Sequence, residues 1–245
     1  MSNIGLVWIR EDFRIENNPA LSYASQNHDN VIAFFIYNNN DYDNKREAQK
    51  WWLSKSLENF KKDLFNYKIN LQIIKGDELD IFSKIKKKDN VSIYWNKIYE
   101  PDVILKGKKI RDLLIKNEIN YKYFKGNILN EFQEVTKNDK TPFKVFTPFW
   151  KTAEKIYLGL PPSKNYIIKK KSQNRLFFKS CITPNDILPT KNWHKKFEKY
   201  WKVSENESNK ILKNLIENKI KDYGTSRDIP SIEGTSKLSP YIKHG

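Results

Sequence analysis

Five short runs of apolar, β-branched and aromatic residues alternate with helical stretches from the start of the chain to about residue 126. They are Gly5 to Ile9, Val31 to Tyr37, Asn70 to Ile74, Val91 to Trp95 and Tyr121 to Phe124. Strands that alternate with helices form βαβ units, and such units build a parallel sheet covered by helices. The sequence therefore predicts an α/β fold with a doubly wound, five-stranded parallel sheet.

Three helices are predicted between these runs. The first extends from Arg46 to about Phe65, where apolar residues recur at helical spacing and lysines occupy the other face. A second helix follows Gly76. A third runs from about Pro101 to Lys116, because proline is well suited to the first turn of a helix.

The alternation stops after Gly126, and this change predicts the domain boundaries. An aromatic, proline-rich stretch leads into a helix that ends near Leu158, and Phe146, Phe149 and Trp150 are predicted to pack between domains. Residues 159–189 contain four prolines and cannot be regular. We therefore predict an α/β domain over residues 1–130, an interdomain connection over 131–190 and the start of an all-α domain over 191–245.

Helical spacing returns from residue 193 to residue 222. Seven apolar residues there are the candidates for burial, although an incomplete helical domain would leave this stripe partly unburied. They are Phe197, Trp201, Ile211, Leu212, Leu215, Ile216 and Ile220.

The chain carries 45 basic and 29 acidic residues, a formal net charge of +16. Such a field attracts polyanions, so nucleic acid is a natural partner. Only six of the basic residues are arginine. The charge alone therefore leaves two alternatives, nucleic-acid binding and a compositional bias toward lysine.

Composition also limits the cellular setting and the metal chemistry. No apolar run approaches the roughly 20 residues of a spanning helix, and the first residues lack the features of a signal peptide. Cys181 is the single cysteine, and His28, His194 and His244 have no metal-ligand spacing. We expect a cytoplasmic protein without a membrane span, a disulfide or a metal site.

The turn after the first strand lacks the glycines that a dinucleotide-dependent dehydrogenase needs there. Residues 10–19 contain no glycine triplet of a dinucleotide site, and no lysine-containing phosphate loop occurs. We predict that an ion-pair cluster of Arg10, Asp12 and Arg14 fixes this turn, and we assign these residues no catalytic role. No nucleophile and base can be named, so the catalytic residues are unknown.

The most specific chemistry lies between residues 223 and 241. The segment from Gly234 to Tyr241 reads Gly-Thr-Ser-Lys-Leu-Ser-Pro-Tyr, and it places three hydroxyls beside a predicted helix start. Hydroxyls and backbone amides that converge at such a point bind oxyanions. The segment therefore predicts a site for a phosphorylated cofactor.

Ordered motifs along the chain resemble the DNA photolyase/cryptochrome family. Residues 7–21, from Val-Trp-Ile-Arg to Asn-Pro-Ala-Leu, are similar to the family's first strand and turn. Later landmarks recur in the same order at Trp51 to Leu57, Trp95 to Pro101, Lys144 to Phe149 and Tyr223 to Tyr241. The resemblance implies a Rossmann-like antenna domain followed by a helical FAD-binding domain.

The resemblance also assigns site residues. It implies that FAD, chiefly its phosphates, is bound by Tyr223, Thr235, Ser236, Lys237, Leu238 and Ser239. It places Arg227 on the DNA backbone, where a guanidinium can grip a phosphate with two hydrogen bonds. A salt bridge from Arg227 to Asp228 or Glu233 is the alternative. Lys237 stands where the family commonly has arginine, so it keeps the charge but loses the two-point geometry.

An antenna chromophore is a further implication of the resemblance. The folate-binding pattern has Asn and Glu after a Tyr-Glu pair, whereas this chain has Asp102 and Val103 at those places. A reduced folate, a deazaflavin or no antenna therefore remain as alternatives.

The implied activity is light-driven, FAD-dependent repair of cyclobutane pyrimidine dimers in DNA, a carbon–carbon lyase reaction carried out by a monomer. A cryptochrome-like photoreceptor is one alternative, and an antenna or nucleic-acid-binding α/β fragment without catalysis is another. Since most of the family's helical domain would follow Gly245, we expect the chain to be incomplete and its catalytic residues to lie outside it.

Overall fold

The computed structural model describes residues 4–38, 47–158, 166–171 and 176–245. Its centre is a five-stranded sheet whose adjacent strands are all parallel. The strands are β1 (Ile4–Ile9), β2 (Asn30–Tyr37), β3 (Asn70–Lys75), β4 (Val91–Asn96) and β5 (Asn120–Phe124). The predicted α/β fold is confirmed, and every predicted strand end lies within one residue of the observed end.

The sheet has the strand order β3-β2-β1-β4-β5. The chain therefore adds β2 and β3 on one side of β1, crosses back, and adds β4 and β5 on the other side. This is the doubly wound topology. The reversal lies between β1 and β4, which pair in register from Ile4 with Val91 to Trp8 with Trp95. This point brings the turn after β1 beside the end of β4.

Helices cover both faces of the sheet. Helices α1 (Pro19–Asn27) and α2 (Glu47–Asn66) pack on one face, and α3 (Glu78–Lys84) and α4 (Pro101–Lys116) pack on the other. Burying apolar stripes on both faces is the main stabilising contribution in such a fold. Helix α4 has the predicted bounds, whereas Arg46, the predicted start of α2, lies outside the described residues.

Hydrogen bonds hold the turn after β1, and the predicted ion-pair cluster is not found. The Asn96 amide donates to the Asp12 carboxylate at 2.6 Å and to the Asn18 side chain at 2.9 Å. The Arg10 guanidinium donates to the Asn96 carbonyl, and Arg14 donates to a backbone carbonyl of the turn. No ion pair joins the three predicted residues, because the Asp12 carboxylate accepts from the Asn96 side-chain amide and from the Arg10 backbone amide instead.

The Arg10 side chain is packed rather than solvated. Its guanidinium carbon lies 4.7 Å from the ring centre of Trp8, and its Nε has no hydrogen-bond partner. Burial lowers the pKa of Arg10 to about 10, against the opposing effect of the Asp12 charge. Arg10 therefore remains a cation that anchors the turn.

Helix α5 (Phe146–Leu158) follows the sheet and presents an aromatic surface to solvent. Phe146 and Trp150 stack with ring centres 6.3 Å apart, and they are 71% and 46% exposed. Phe149 is 37% exposed. The prediction that these rings are buried between domains is wrong for this chain, because no described element covers them.

The predicted connection runs along the α/β domain where the structure describes it. Lys171 donates to the carbonyls of Ser25 and His28 at the end of α1, and Ile182 forms an isolated bridge with Ile73 of β3. A single 3₁₀ turn occurs at Pro184–Ile187. Residues 159–165 and 172–175 of this segment lie outside the described residues.

Short helices complete the chain. They comprise a 3₁₀ helix (Asn192–Lys199), α6 (Glu205–Asn214), a π turn (Leu215–Lys219), α7 (Tyr223–Ser226) and α8 (Ser239–Lys243).

The apolar stripe of this region is only partly buried, as predicted. Phe197, Trp201, Ile211 and Leu215 are half-buried, and Leu212, Ile216 and Ile220 are exposed. The reason is that, among the described residues, the stripe packs on one small surface, the cluster centred on Trp51, Trp52, Val203 and Tyr241. A helix without a second packing layer cannot bury a wide stripe.

Candidate cofactor-binding site

An aromatic contact joins the last described segments to the α/β domain. Trp52 of α2 packs edge-on against Trp201 at 5.4 Å and against Tyr241 of α8 at 5.0 Å between ring centres. The Tyr241 hydroxyl donates to the Lys202 carbonyl at 3.0 Å. Tyr241 therefore ties α8 to the segment that carries Trp201 and Lys202.

The Tyr241 hydroxyl keeps its proton under ordinary conditions. Burial, with a smaller contribution from the Glu207 charge, raises the pKa of Tyr241 to about 12. The hydrogen bond to Lys202 is consequently present across the whole neutral range, and it fixes the spacing between the two segments.

The segment before α8 is held in a tight conformation. Lys237 has φ = 57°, and its ammonium pairs with Glu233. Lys219 donates to the Glu233 carbonyl at 2.7 Å. A Cβ added at Gly234 would overlap the Ser226 carbonyl, so only glycine permits this close approach of two backbones.

A cavity of about 240 Å³ lies between these segments. Thr235, Ser236 and Lys237 contribute to its lining, together with Lys199 and Lys202. The apolar part is supplied by Trp201, Tyr241, Ile211 and Leu215. The cavity thus combines hydroxyl donors and cations with apolar side chains, which suits a phosphorylated organic molecule.

The structure brings three of the six predicted FAD-binding residues into this cavity, namely Thr235, Ser236 and Lys237. The other three lie outside its lining. Tyr223 is half-buried at the first position of α7, Leu238 is buried just before α8, and Ser239 is exposed at the first position of α8.

The start of α8 has no side-chain cap, and the three predicted hydroxyls do not form one. The Ser236 hydroxyl accepts a long hydrogen bond of 3.4 Å from the Leu238 amide. Phosphate binding here would therefore use the cavity formed by two segments rather than the helix start alone.

Arg227, the predicted DNA contact, follows α7 and is exposed. Its Nε lies 3.7 Å from the Asp228 carboxylate, and the two side chains are 55% and 75% exposed. An ion pair this open to solvent contributes little to stability and is easily exchanged for another anion. The DNA-binding role of Arg227 stays a prediction.

Lys199 and Lys202 were not predicted as site residues. They are separated by Tyr200 and Trp201. This tetrapeptide of two cations and two aromatic residues is the sequence feature that could have identified them. Their relation to Thr235 arises only through the contacts of Trp201 and Tyr241, which no local pattern encodes.

Near the Tyr99-Glu100 pair, where the antenna pattern lies, the tyrosine hydroxyl is already hydrogen-bonded within the chain. The Tyr99 hydroxyl donates to Glu131 at 2.8 Å and accepts from the Gly126 amide at 3.1 Å. Burial raises the pKa of Tyr99 to about 12, so the hydroxyl remains a donor. Asp102 and Val103 lie in the first turn of α4. The antenna stays a prediction.

Two further expectations concern metals and membranes. Within residues 4–38, 47–158, 166–171 and 176–245, no group of three or more His, Cys, Asp or Glu side chains is arranged to hold a metal ion. Across the same part of the chain, every helix is too short or too polar to cross a membrane.

Curated relatives of this chain include photolyases and cryptochromes. The deoxyribodipyrimidine photo-lyase of Agrobacterium fabrum is 28% identical over 248 residues, and that of Buchnera aphidicola is 30% identical over 256 residues. Cryptochrome-2 of Arabidopsis thaliana is 24% identical over 256 residues. Each alignment covers 98% of this chain but 50%, 50% and 40% of the relative, so the chain spans about half the length of the photolyases it matches.

Solved structures and a family model agree with these similarities. A class III photolyase from Agrobacterium tumefaciens superposes with a TM-score of 0.85 at 25% identity, over 100% of this chain and 51% of that one. A photolyase from Sulfolobus tokodaii has the same fold, with a TM-score of 0.75 over 99% of this chain and 52% of that one. The DNA photolyase family model matches residues 5–167. Since this match covers more than half of its length, the chain belongs to the DNA photolyase family.

Proposed function

We propose that this chain takes part in light-driven repair of cyclobutane pyrimidine dimers in DNA, with FAD as the cofactor. One observation carries the proposal: Thr235, Ser236 and Lys237 line a single cavity with the cations Lys199 and Lys202. Membership of the DNA photolyase family supports the same cofactor. When bound in reduced form, FAD supplies the excited-state electron that splits the dimer.

The cavity fits the phosphates of FAD better than its rings. The linker of FAD carries two negative charges, and the cavity offers hydroxyl donors and ammonium groups. Sites that enclose a whole drug-sized ligand have volumes of about 300–1,000 Å³. A cavity of about 240 Å³ would therefore hold the diphosphate and an adjoining ribose.

Each residue has a distinct part in this proposal. Thr235 and Ser236 donate hydrogen bonds to the phosphates, and Lys237 contributes a charge that Glu233 partly neutralises. Leu238 is buried just before α8. Tyr223 and Ser239 would reach the cofactor beyond the cavity.

The proposal assigns a role to each region of the chain. The α/β domain of residues 1–130 would carry an antenna, residues 131–190 would connect, and residues 191–245 would begin the FAD-binding domain. Arg227 would lie against the DNA backbone near that domain. A flipped dimer is the proposed DNA substrate, because extrusion costs least at a poorly paired lesion.

A fluorescence titration with FAD tests the cofactor assignment. Trp201 lines the cavity, so binding should quench tryptophan emission. The double variant Thr235→Ala/Ser236→Ala should bind FAD about tenfold more weakly, because two hydrogen bonds to charged oxygens are lost. The control Ser231→Ala removes an exposed hydroxyl four residues earlier and should bind as the parent does.

Two results would contradict the proposal. One is the absence of saturable FAD binding by the parent chain at any accessible concentration, and the other is binding by the double variant as tight as that of Ser231→Ala. Far-ultraviolet circular dichroism of all three proteins establishes that the affinities compare folded chains.

The similarity to cryptochromes supports a second candidate, a flavin photoreceptor that signals through partners. The two candidates share the FAD site and differ in their affinity for DNA. Repair predicts tighter binding to a duplex with a single thymine dimer than to the same duplex intact. Equal affinity for the two duplexes would favour the photoreceptor.

A further inference from the structure

Glu205, the first residue of α6, connects this helix to the turn after β1. Its carboxylate accepts hydrogen bonds from the backbone amides of Ile15 at 2.7 Å and Glu16 at 2.9 Å, one on each oxygen. Charge-assisted hydrogen bonds of this length are strong, and two on one carboxylate also fix its orientation. The contact therefore joins two segments that are 189 and 190 residues apart in the chain.

This contact is the polar connection between α6 and the α/β domain. Within the described part of the chain, no other α6 side chain forms a hydrogen bond or an ion pair with that domain. Ile211, further along α6, lines the cofactor cavity and packs against the cluster that contains Trp51 and Trp52. Glu205 and Ile211 together therefore set the direction of α6 and the place of this cavity wall.

Glu205 shares a small cavity with a second carboxyl group. The cavity has a volume of about 30 Å³, and Asp63 of α2, Glu205 and His244 of α8 contribute to its lining. Burial raises the pKa of Glu205 against the effect of its two amide hydrogen bonds, and the charges of Glu16 and Asp63 add to the rise. Burial also raises the pKa of Asp63, although the Lys62 charge opposes it.

No cation neutralises these two carboxyl groups. Among the residues that the structure describes, neither Glu205 nor Asp63 takes part in an ion pair. The ammonium groups of Lys62 in α2 and Lys243 in α8 pair with other carboxylates. Two partly buried carboxylates at one cavity repel each other, so neutralising one of them favours the packed arrangement.

The sign of the pH effect follows from the raised pKa values. The packed arrangement binds a proton more tightly than free carboxyl groups with ordinary pKa values of 4.5 and 3.8 do. Acidification from neutral pH therefore favours it, and this stabilisation is lost as the pH rises through the raised pKa values. His244 acts in the opposite direction because its pKa is lowered, and His244→Phe removes that titration.

We propose that Glu205 is a positioning residue that holds α6, and with it one wall of the cofactor cavity, against the turn after β1, and that this contact tightens when the carboxyl pair of Glu205 and Asp63 takes up a proton. The part of the wall in cofactor binding rests on the proposed function. The contact itself can be measured without a cofactor.

Hydrogen exchange of the Ile15 and Glu16 amides, followed by nuclear magnetic resonance without FAD, tests the contact. Glu205→Gln leaves one acceptor oxygen for two amides and should lower their protection about tenfold at pH 7.5. Asp63→Asn removes only the opposing charge and should raise it about threefold. The control Glu217→Gln removes an exposed carboxylate from the adjoining π turn and should stay within about twofold of the parent.

The pH profile separates this role from simple packing. In His244→Phe, protection of the two amides, corrected for the intrinsic exchange rate, should rise about threefold from pH 7.5 to pH 5. The rise should be absent from His244→Phe/Glu205→Gln, whose contact has no titrating group. A flat profile in His244→Phe, or an equal rise in both proteins, would overturn the inference.

A fluorescence titration with FAD connects the contact to the cavity. Glu205→Gln should bind FAD about threefold more weakly than Glu217→Gln, because α6 carries part of the lining. Equal affinities would overturn the positioning role. Circular dichroism of each variant establishes that folded chains are compared.

The outcomes distinguish this inference from the proposed function. Parent-like exchange in Glu205→Gln, or faster exchange in Asp63→Asn, would refute the inference and leave the FAD site standing. A parent chain that binds no FAD would overturn the proposed function, and the exchange data would still decide whether Glu205 holds α6 and responds to protons.

Discussion

Protonation of His244 should control how firmly α8 packs against the turn after β1. The His244 ring stacks on Phe13 with ring centres 6.0 Å apart, and its carbonyl accepts a hydrogen bond from the Phe13 amide at 3.0 Å. Burial, with a smaller effect of the adjacent Lys243 charge, lowers the pKa of His244 to about 4. The folded chain therefore keeps this imidazole neutral under mildly acidic conditions.

The sign of the pH effect follows from the two pKa values. In the unfolded chain His244 takes up a proton below its ordinary pKa of 6.5, whereas the folded chain does so only near pH 4. Acidification through this window therefore favours the unfolded chain. The difference of about 2.5 pKa units corresponds to a loss of about 3 kcal/mol from the free energy of unfolding by pH 4.

His244→Phe isolates this contribution, because phenylalanine preserves the stack on Phe13 and cannot titrate. Urea unfolding should give free energies within about 1 kcal/mol for the two proteins at pH 7.5. At pH 4 the variant should be the more stable by about 3 kcal/mol. Burial raises the pKa of Glu205 and of Asp63 nearby, but both groups are present in the two proteins and cancel in the comparison.

An equal difference between the two proteins at both pH values would refute the reasoning. It would mean that His244 has the same pKa in the folded and unfolded chains, and hence that its ring is not desolvated by α8. Titration of the imidazole protons by nuclear magnetic resonance measures the folded-state pKa directly, and a value near 6.5 would lead to the same conclusion.

Three other substitutions have defined outcomes. Asn96→Ala removes the amide that satisfies the Asp12 carboxylate and should lower the free energy of unfolding by about 2–4 kcal/mol in urea titrations; a loss below about 0.5 kcal/mol would contradict the network. Arg227→Ala should weaken DNA binding about equally across sequences and reduce the salt slope by about one, whereas an unchanged slope would favour the ion pair with Asp228. Gly234→Ala should abolish FAD binding in the fluorescence titration while the sheet stays folded, and parent-like binding would show that the close backbone approach is dispensable.

The sheet was predictable because each strand carries its own local signal. Val31 to Tyr37, for example, is an uninterrupted apolar run of the kind that parallel strands require when helices cover both faces. Helix α4 begins at Pro101, as its proline indicates. Helix α1 was not predicted, although the Asn18 side chain caps it and Pro19 occupies its first turn.

Features that depend on a partner surface were not predictable. The spacing of Leu212, Ile216 and Ile220 indicates an apolar helix face, but spacing does not reveal whether another element covers that face. Lys199 and Lys202 likewise meet Thr235 only because Trp52 and Tyr241 bring distant segments together. Thr235, Ser236 and Lys237 were identified because their residue types carry the chemistry within one short segment.

The central claim is that the diphosphate of an adenine nucleotide binds between the segments of Lys202 and Ser236. A crystal structure of the chain with ADP measures this directly. The account predicts phosphate oxygens within 3.2 Å or so of the Ser236 hydroxyl and of the Lys202 ammonium in one cavity. Well-ordered ADP at any other place, with the cavity between these residues holding only water, would contradict it.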